Sequence, residues 1–197
     1  MFSRSTTSRI LIVSLAMSVL CAPRVSNGNA AAGPALPEPA VQQQPSGQLT
    51  TTGKVKVDGR DVGSGFNVTT GTTTTTAKGS SAVVSLGKLG RVEVFPSSSV
   101  NLDFDNDSIK VKLEAGRVRV SSGSGITASV STRDGETVGD STQENTFTVD
   151  TECGNTIVST QSGKVELRAG GTVKQIAAGS QDSAGTAKPG KCKSRTP

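Results

Sequence analysis

The sequence predicts an all-β fold: a single domain of many short strands arranged as stacked sheets or a solenoid. Three observations carry this. From about residue 50 onward apolar residues alternate with polar ones at period two. The alternating segments recur roughly every nine residues, separated by Gly, Ser, Asn or Asp. No segment beyond the first thirty residues carries an apolar stripe of helical period. Composition agrees, because the 26 Ser, 24 Thr and 23 Gly among 197 residues suit half-buried strands and tight turns.

The elements follow in order along the chain. Arg4 and Arg9 precede an uncharged apolar run from Ile10 to Ala22. That run falls short of the roughly 20 residues needed to span a bilayer, and it has the form of a secretory signal core behind a positive n-region. Residues 1–30 therefore read as a signal peptide cleaved after Ala30, and the protein as exported, periplasmic or extracellular. Ser18-Val19-Leu20-Cys21 imitates a lipoprotein signal, but Leu20 is large for the position before the Cys. Lipidation at Cys21 and an uncleaved anchor are the minor alternatives.

Residues 31–49, with four Pro and three consecutive Gln, read as a linker. The β domain is expected over residues 50–180 and a basic tail over 181–197. Within the domain, strands are expected around Val55/Val57, Val84/Leu86, Val92/Val94, Val100/Leu102/Phe104 and Ile109/Val111/Leu113. They continue at Val118/Val120, Ile126/Ala128/Val130, Phe147/Val149 and Val165/Leu167. Four segments echo one another as Gly-basic-Val-charged-apolar, starting at Gly53, Gly90, Gly116 and Gly163. Each reads as a turn glycine entering a strand whose apolar residues face inward.

Charge and missing residue types narrow the function. The formal charge of +5 is concentrated at the two ends. Without residues 1–30 the chain holds eighteen basic against sixteen acidic residues, and Lys188, Lys191, Lys193 and Arg195 belong to the tail. The body is left near −2, with no basic face for nucleic acid. The chain has no His, which removes imidazole-dependent hydrolysis and His-ligated metals. It has no Trp or Tyr, which counts against stacking on sugars or bases. With Cys21 removed, Cys153 and Cys192 form an even pair suited to a disulfide in an oxidising compartment. Two free thiols, or a partner in another chain, are the other readings.

The order of the pieces resembles a known module. Gly53-Lys54-Val55-Lys56-Val57 leads to Gly63-Ser64-Gly65 and a Thr strand, then Ser81–Leu86, Gly90–Val94 and Ser97–Leu102. Leu113–Val120, Asn145–Val149, Gly163–Leu167 and Ile176–Gly179 complete the run. This run, over about residues 50–180, is similar to the FecR-type domain, the periplasmic β-rich module of iron-dicitrate-type signalling regulators. The resemblance implies a stacked, solenoid-like β fold, an extracytoplasmic site of action and no catalysis. It does not imply the regulators' anti-sigma activity, since only nine residues precede the apolar run. The stretch 133–144 is longer than the corresponding connection in that family. With Asp134, Glu136, Asp140 and Glu144 it is expected to be an acidic loop that binds a partner.

Other candidate sites are weaker. Asp103, Asp105, Asp107 and Glu114 have the spacing of a calcium loop, but Ser108 stands where such a loop needs Gly and the flanks alternate as strands. A hairpin turn explains the same letters, and no cofactor or metal is expected. Thr72 to Thr76 is either a hydroxyl ladder presented to a polymer or a strand chosen for β propensity. The cationic tail allows weak contact with anionic envelope polymer. The sequence thus points to a non-catalytic interaction, scaffolding or signal-sensing module of a bacterial envelope with a protein partner. The alternative is a cell-wall or surface-polysaccharide-binding module. A Ser hydrolase stands far behind, since no base can be named for any Ser.

Overall fold

The computed structural model describes residues 45–188, which belong to one compact unit, Gln42–Pro197. The expected signal peptide with Cys21 and its cleavage point after Ala30, the linker up to residue 44, and the tail from residue 189 with Cys192 lie outside the described residues.

The described chain is all-β, with seventeen strands in two sheets and a single 3₁₀ turn at Gly87–Leu89. β1 (Ser46–Thr52) lies in the first sheet, β2 (Val55–Val57) and β3 (Arg60–Val62) in the second, β4 (Asn67–Thr69) in the first and β5 (Thr72–Thr76) in the second. The chain then alternates. β6 (Ser81–Ser85) and β7 (Gly90–Val94) join the first sheet, and β8 (Ser99–Phe104) and β9 (Ser108–Ala115) the second. β10 (Arg117–Ser122) returns to the first, and β11 (Thr127–Ser131) and β12 (Glu136–Gly139) to the second. β13 (Asn145–Asp150) and β14 (Thr156–Ser162) are in the first, β15 (Lys164–Ala169) and β16 (Thr172–Ala177) in the second, and β17 (Gln181–Ala184) in the first.

The resulting orders are β17-β14-β13-β10-β7-β6-β1-β4 and β16-β15-β12-β11-β9-β8-β5-β2-β3. Fourteen of the fifteen strand pairings are antiparallel, and β9 with β11 is parallel. The exception follows from connectivity. A hairpin made in the opposite sheet reverses the chain, so the returning strand lies antiparallel to the one that left. β10 visits the first sheet as a lone strand, so β11 returns parallel to β9.

Every strand expected from apolar alternation is present, with its named residues inward and buried. Inward side chains from both sheets make one core, rich in Val and containing, among the described residues, two Phe, Phe104 and Phe147. Two boundaries differ from the sequence reading. Ser46–Gln48, read as linker, begin β1 and pair with β4, because Gly47 and Leu49 continue the inward alternation. Residues 181–184, read as tail, form β17 against β14.

The Gly-basic echo has a common structural cause at three of its four sites. Gly53, Gly116 and Gly163 sit where the chain passes from one sheet to the other, and all three have positive φ (80°, 88° and 78°). At such a corner an N–H leaves the ladder while still buried, and burial without a partner is costly. In each case a buried side chain from a neighbouring corner supplies the acceptor. Lys54 N–H donates to Ser80 Oγ (2.9 Å), Arg117 N–H to Ser98 Oγ (2.8 Å) and Lys164 N–H to Asn145 Oδ1 (3.0 Å). Asn145 in turn donates through Nδ2 to the carbonyls of Asp140 (2.6 Å) and Gln143 (3.0 Å). The fourth site, Gly90, instead lies flat against β10, where a Cβ would stand 2.0 Å from the Ser121 carbonyl oxygen.

The threonine run resolves by the same alternation. Thr72, Thr74 and Thr76 face the core, while Thr73 and Thr75 face outward. Thr76 Oγ1 donates to Phe95 O (2.6 Å) and accepts from Ser98 N–H (3.0 Å), tying down a corner. Thr74 Oγ1 is buried and has no hydrogen-bond partner among the described residues. Replacing an unpaired buried hydroxyl with an isosteric methyl removes a desolvation cost, whereas removing a bonded one strands its partners. Thr74→Val is therefore expected to raise unfolding free energy by about 1 kcal/mol, and Thr76→Val to lower it by about 1–3 kcal/mol. Urea titration checks both, and equal effects at the two positions would contradict the assignment.

Candidate functional site

The predicted acidic loop is not a loop. Glu136–Gly139 form β12, paired with β11 on one side and β15 on the other, with Thr137 fully buried. The sequence hid this strand because its inward positions are Thr137 and Gly139 rather than apolar side chains. The four acids are accordingly distributed along one strand and its two flanking turns, and they do not form one cluster.

Asp140 follows β12 and caps its turn: its carboxylate accepts from Thr142 N–H (3.0 Å), Thr142 Oγ1 (2.7 Å) and Gln143 Nε2 (3.2 Å). The Thr142 hydroxyl bond, then its N–H, hold the Asp140 carboxyl below its ordinary value of 3.8. Glu136 lies opposite Arg168 on β15, and Arg168 pairs with Glu166 at 2.8 Å. The Glu166 bond raises the Arg168 pKa, with Glu136 adding to the same field. Glu144 is exposed beside the Asn145 corner.

Asp134 differs from the others. Its carboxylate accepts from Thr156 Oγ1 (3.0 Å) and the Arg133 guanidinium (3.3 Å), and its side chain is 17% exposed. It faces the open end of the two sheets, where a cavity of about 400 Å³ lies between β15–β16 and β17. Leu167, Ala169 and Ala184 supply its apolar floor, with Asp134, Thr172 and Lys174 among its polar lining. Lys174 on β16 spans this end to β17: its Nζ donates to Asp182 Oδ1 (2.7 Å) and to Ser183 O (3.1 Å). On the outward face of β16 the large apolar residue Val173 is exposed, at 57%. Sequence reasoning missed this end because β16 has a single buried residue, Ile176, and β17 a single one, Ala184.

The bond from Lys174, then the Ser183 N–H, hold the Asp182 carboxyl below its ordinary value of 3.8. A depressed carboxyl contributes stability that is present above the unfolded value and lost as pH falls through the folded one. NMR titration of Asp182 is expected to give a midpoint below 3.8, moving upward in Lys174→Met. A midpoint unchanged by that substitution would remove the ion pair as the cause.

The remaining candidates separate. Asp105, Asn106 and Asp107 form the hairpin turn between β8 and β9, closed by Asp105 N–H to Ser108 O (3.0 Å) and Ser108 Oγ to Asp105 Oδ2 (2.9 Å). Asp103 is on β8 opposite Lys110. Glu114 sits at the far end of β9, where it accepts from Ser99 Oγ (3.3 Å), so the strand ladder holds it away from the turn and the calcium-loop constellation is not assembled. Cys153 lies in the turn after β13. Its carbonyl accepts from Lys188 N–H (3.0 Å), and Arg133 Nη2 donates to the next carbonyl, that of Gly154. Its predicted partner Cys192 lies outside the described residues.

One further surface feature was not anticipated. On the outer face of the first sheet, Arg117 and Arg119 lie over the Phe95 ring (5.6 and 5.2 Å to its centroid) and pair with Asp150 (2.6 Å) and Glu93 (3.1 Å). The alternation of Arg117 and Arg119 was its only trace in the sequence. Among the described residues, no helix is long and apolar enough to cross a membrane.

The sequence matches no family model and no curated protein. Among solved structures, the fold is similar to two crystal structures, at 1.65 and 2.50 Å resolution, of a "putative anti-sigma factor" from Parabacteroides distasonis ATCC 8503. Each shares 21% identity with a TM-score of 0.48, and the match covers 55% of this chain and 52% of that one. The chain thus matches about half the length of those structures.

Proposed function

We propose that this chain is an exported, non-catalytic interaction module of FecR type that docks or senses a protein partner in a bacterial envelope. The observation that carries the reading is the open end of the two sheets, where β16 and β17 have edges unpaired among the described residues, beside an apolar cavity. An unpaired edge is a template for binding another chain. The ordered run of Gly-basic strands that resembles the FecR-type domain supports the same reading from the sequence side. The Cys153–Cys192 bridge belongs to the proposal. The Lys188 N–H bond to Cys153 O brings the chain to within four residues of Cys192, and such a bridge would anchor the tail in an oxidising compartment.

The test uses the full chain, tagged and expressed in its host. Fractionation is expected to recover it outside the cytoplasm, lighter by its first thirty residues and by the two hydrogens of one disulfide. Cross-linking is expected to yield one dominant, stoichiometric protein partner. Recovery in the cytoplasm, or cross-linking in proportion to protein abundance alone, would overturn the reading. Glu136→Lys with Glu144→Lys asks whether the acids of β12 and its following turn take part; an unchanged partner would confine docking to the sheet end.

A further inference from the structure

Of the four outermost strands, three are short: β3 and β4 have three residues each and β17 four. Shortness limits what can pair with an edge. β16 is the exception, with six residues in unbroken register against β15, no Pro, and Val173 exposed on its outer face. Among the described residues its only ladder partner is β15.

Its inward side is equally unfinished. Lys174 and Ile176 stand opposite Leu167 and Val165 and so face inward. Beside Lys174 the apolar floor of Leu167, Ala169 and Ala184 opens into the cavity of about 400 Å³. The Lys174 ammonium has three donors; Asp182 and Ser183 occupy two, leaving one.

We propose that the free edge of β16 and this cavity together accept an extended segment of a partner protein as an added strand. The segment turns one bulky apolar side chain into the cavity and, two residues along, one carboxylate toward Lys174. Main-chain bonds to an edge supply affinity, and pockets for alternate side chains supply specificity. The two-residue period of a strand places both required side chains on the same face. An inward-pointing charge on an edge strand discourages indiscriminate pairing, so Lys174 selects for an acidic partner strand. Charge also disfavours a second copy. Antiparallel pairing of β16 about Gln175 sets Lys174 opposite Ile176 and gathers two Lys174 ammoniums on one inward face without supplying a carboxylate.

The inference rests on the protein-interaction reading and can fail separately from it. The probe is a short, fluorescently labelled threonine-rich peptide with leucine at its centre and aspartate two residues on, titrated into the full chain. Saturable binding is expected, weakened at least about tenfold by Ala169→Phe, which fills the cavity, and by alanine in place of the probe's leucine. Lys174→Glu is expected to lose the aspartate probe and to bind its lysine counterpart, a swap that misfolding cannot produce. Thermal unfolding by circular dichroism checks that Ala169→Phe is folded. Absence of saturable binding, or binding indifferent to both substitutions, would overturn the proposal. So would a concentration-dependent dimer that Ala169→Phe dissociates, which would make the occupant a second copy. An envelope partner that still binds Ala169→Phe would end this inference and leave the interaction reading standing.

Discussion

Phe147→Ala is expected to lower the unfolding free energy by about 3–5 kcal/mol, the cost of emptying a fully packed aromatic site. Phe147 is wholly buried on β13, opposite Val120 of β10 and Thr160 of β14. Its surroundings favour the upper half of that range. The core is dominated by Val, whose β-branched side chains are stiff about χ1 and adjust little to fill a void. With total stabilities of about 5–15 kcal/mol for ordinary domains, the variant should retain at most a narrow folded margin. The internal control is Phe66→Ala. Phe66 is 43% exposed in the loop between β3 and β4, and a surface change of this kind is expected to stay within about 0.5 kcal/mol. Comparable urea midpoints for the two variants would show that the aromatic on β13 does not organise the core.

Gly116→Ala is the second large effect, expected at about 2–5 kcal/mol. Two costs add at this corner. A non-glycine residue at φ +88° pays about 1–2 kcal/mol for the left-handed conformation. The new Cβ would also stand 2.6 Å from the Ser98 Cα and 2.2 Å from its Oγ, an overlap with backbone that costs roughly 1–3 kcal/mol to relieve. Relief would pull on the Ser98 bonds to Arg117 N–H (2.8 Å) and Arg117 O (3.1 Å), which hold the passage from β9 to β10. Gly59→Ala separates the two costs. Gly59 has φ +79° in the two-residue turn between β2 and β3, with open space where its Cβ would go. It should therefore lose only about 1–2 kcal/mol. If both alanines cost the same, the corner packing contributes nothing and backbone conformation alone explains the glycine.

What could be read in advance depended on whether inward positions were apolar. β8 and β9 were legible because Val100, Leu102, Phe104, Ile109, Val111 and Leu113 alternate without interruption. β14 was not, since its inward residues are Thr156, Val158 and Thr160, and threonine has the shape of valine but reads as polar. β12 failed for the same reason at Thr137 and Gly139, which made a sheet strand look like an acidic loop. Edge strands were illegible on other grounds: β16 and β17 each bury one residue, so neither imposes a period.

The sequence alone determined the class of fold, most of the strands and the glycines that turn them, because local alternation and backbone freedom are written residue by residue. It also showed that charge is concentrated at the two ends and that no imidazole chemistry is available. Tertiary structure decided which buried acceptor answers each corner: Ser80 for Lys54, Ser98 for Arg117 and Asn145 for Lys164. It decided that Asp134 joins the open sheet end while Asp140 caps a turn, and that Glu114 stands a whole strand away from Asp105. The corner pairings join residues nineteen or more positions apart, and nothing in a linear pattern specifies which distant strand lies alongside. The candidate docking edge belongs to the same class. Its identity as an edge is a property of the sheet order, and only the assembled sheets show which strand, among the described residues, has a neighbour on one side alone.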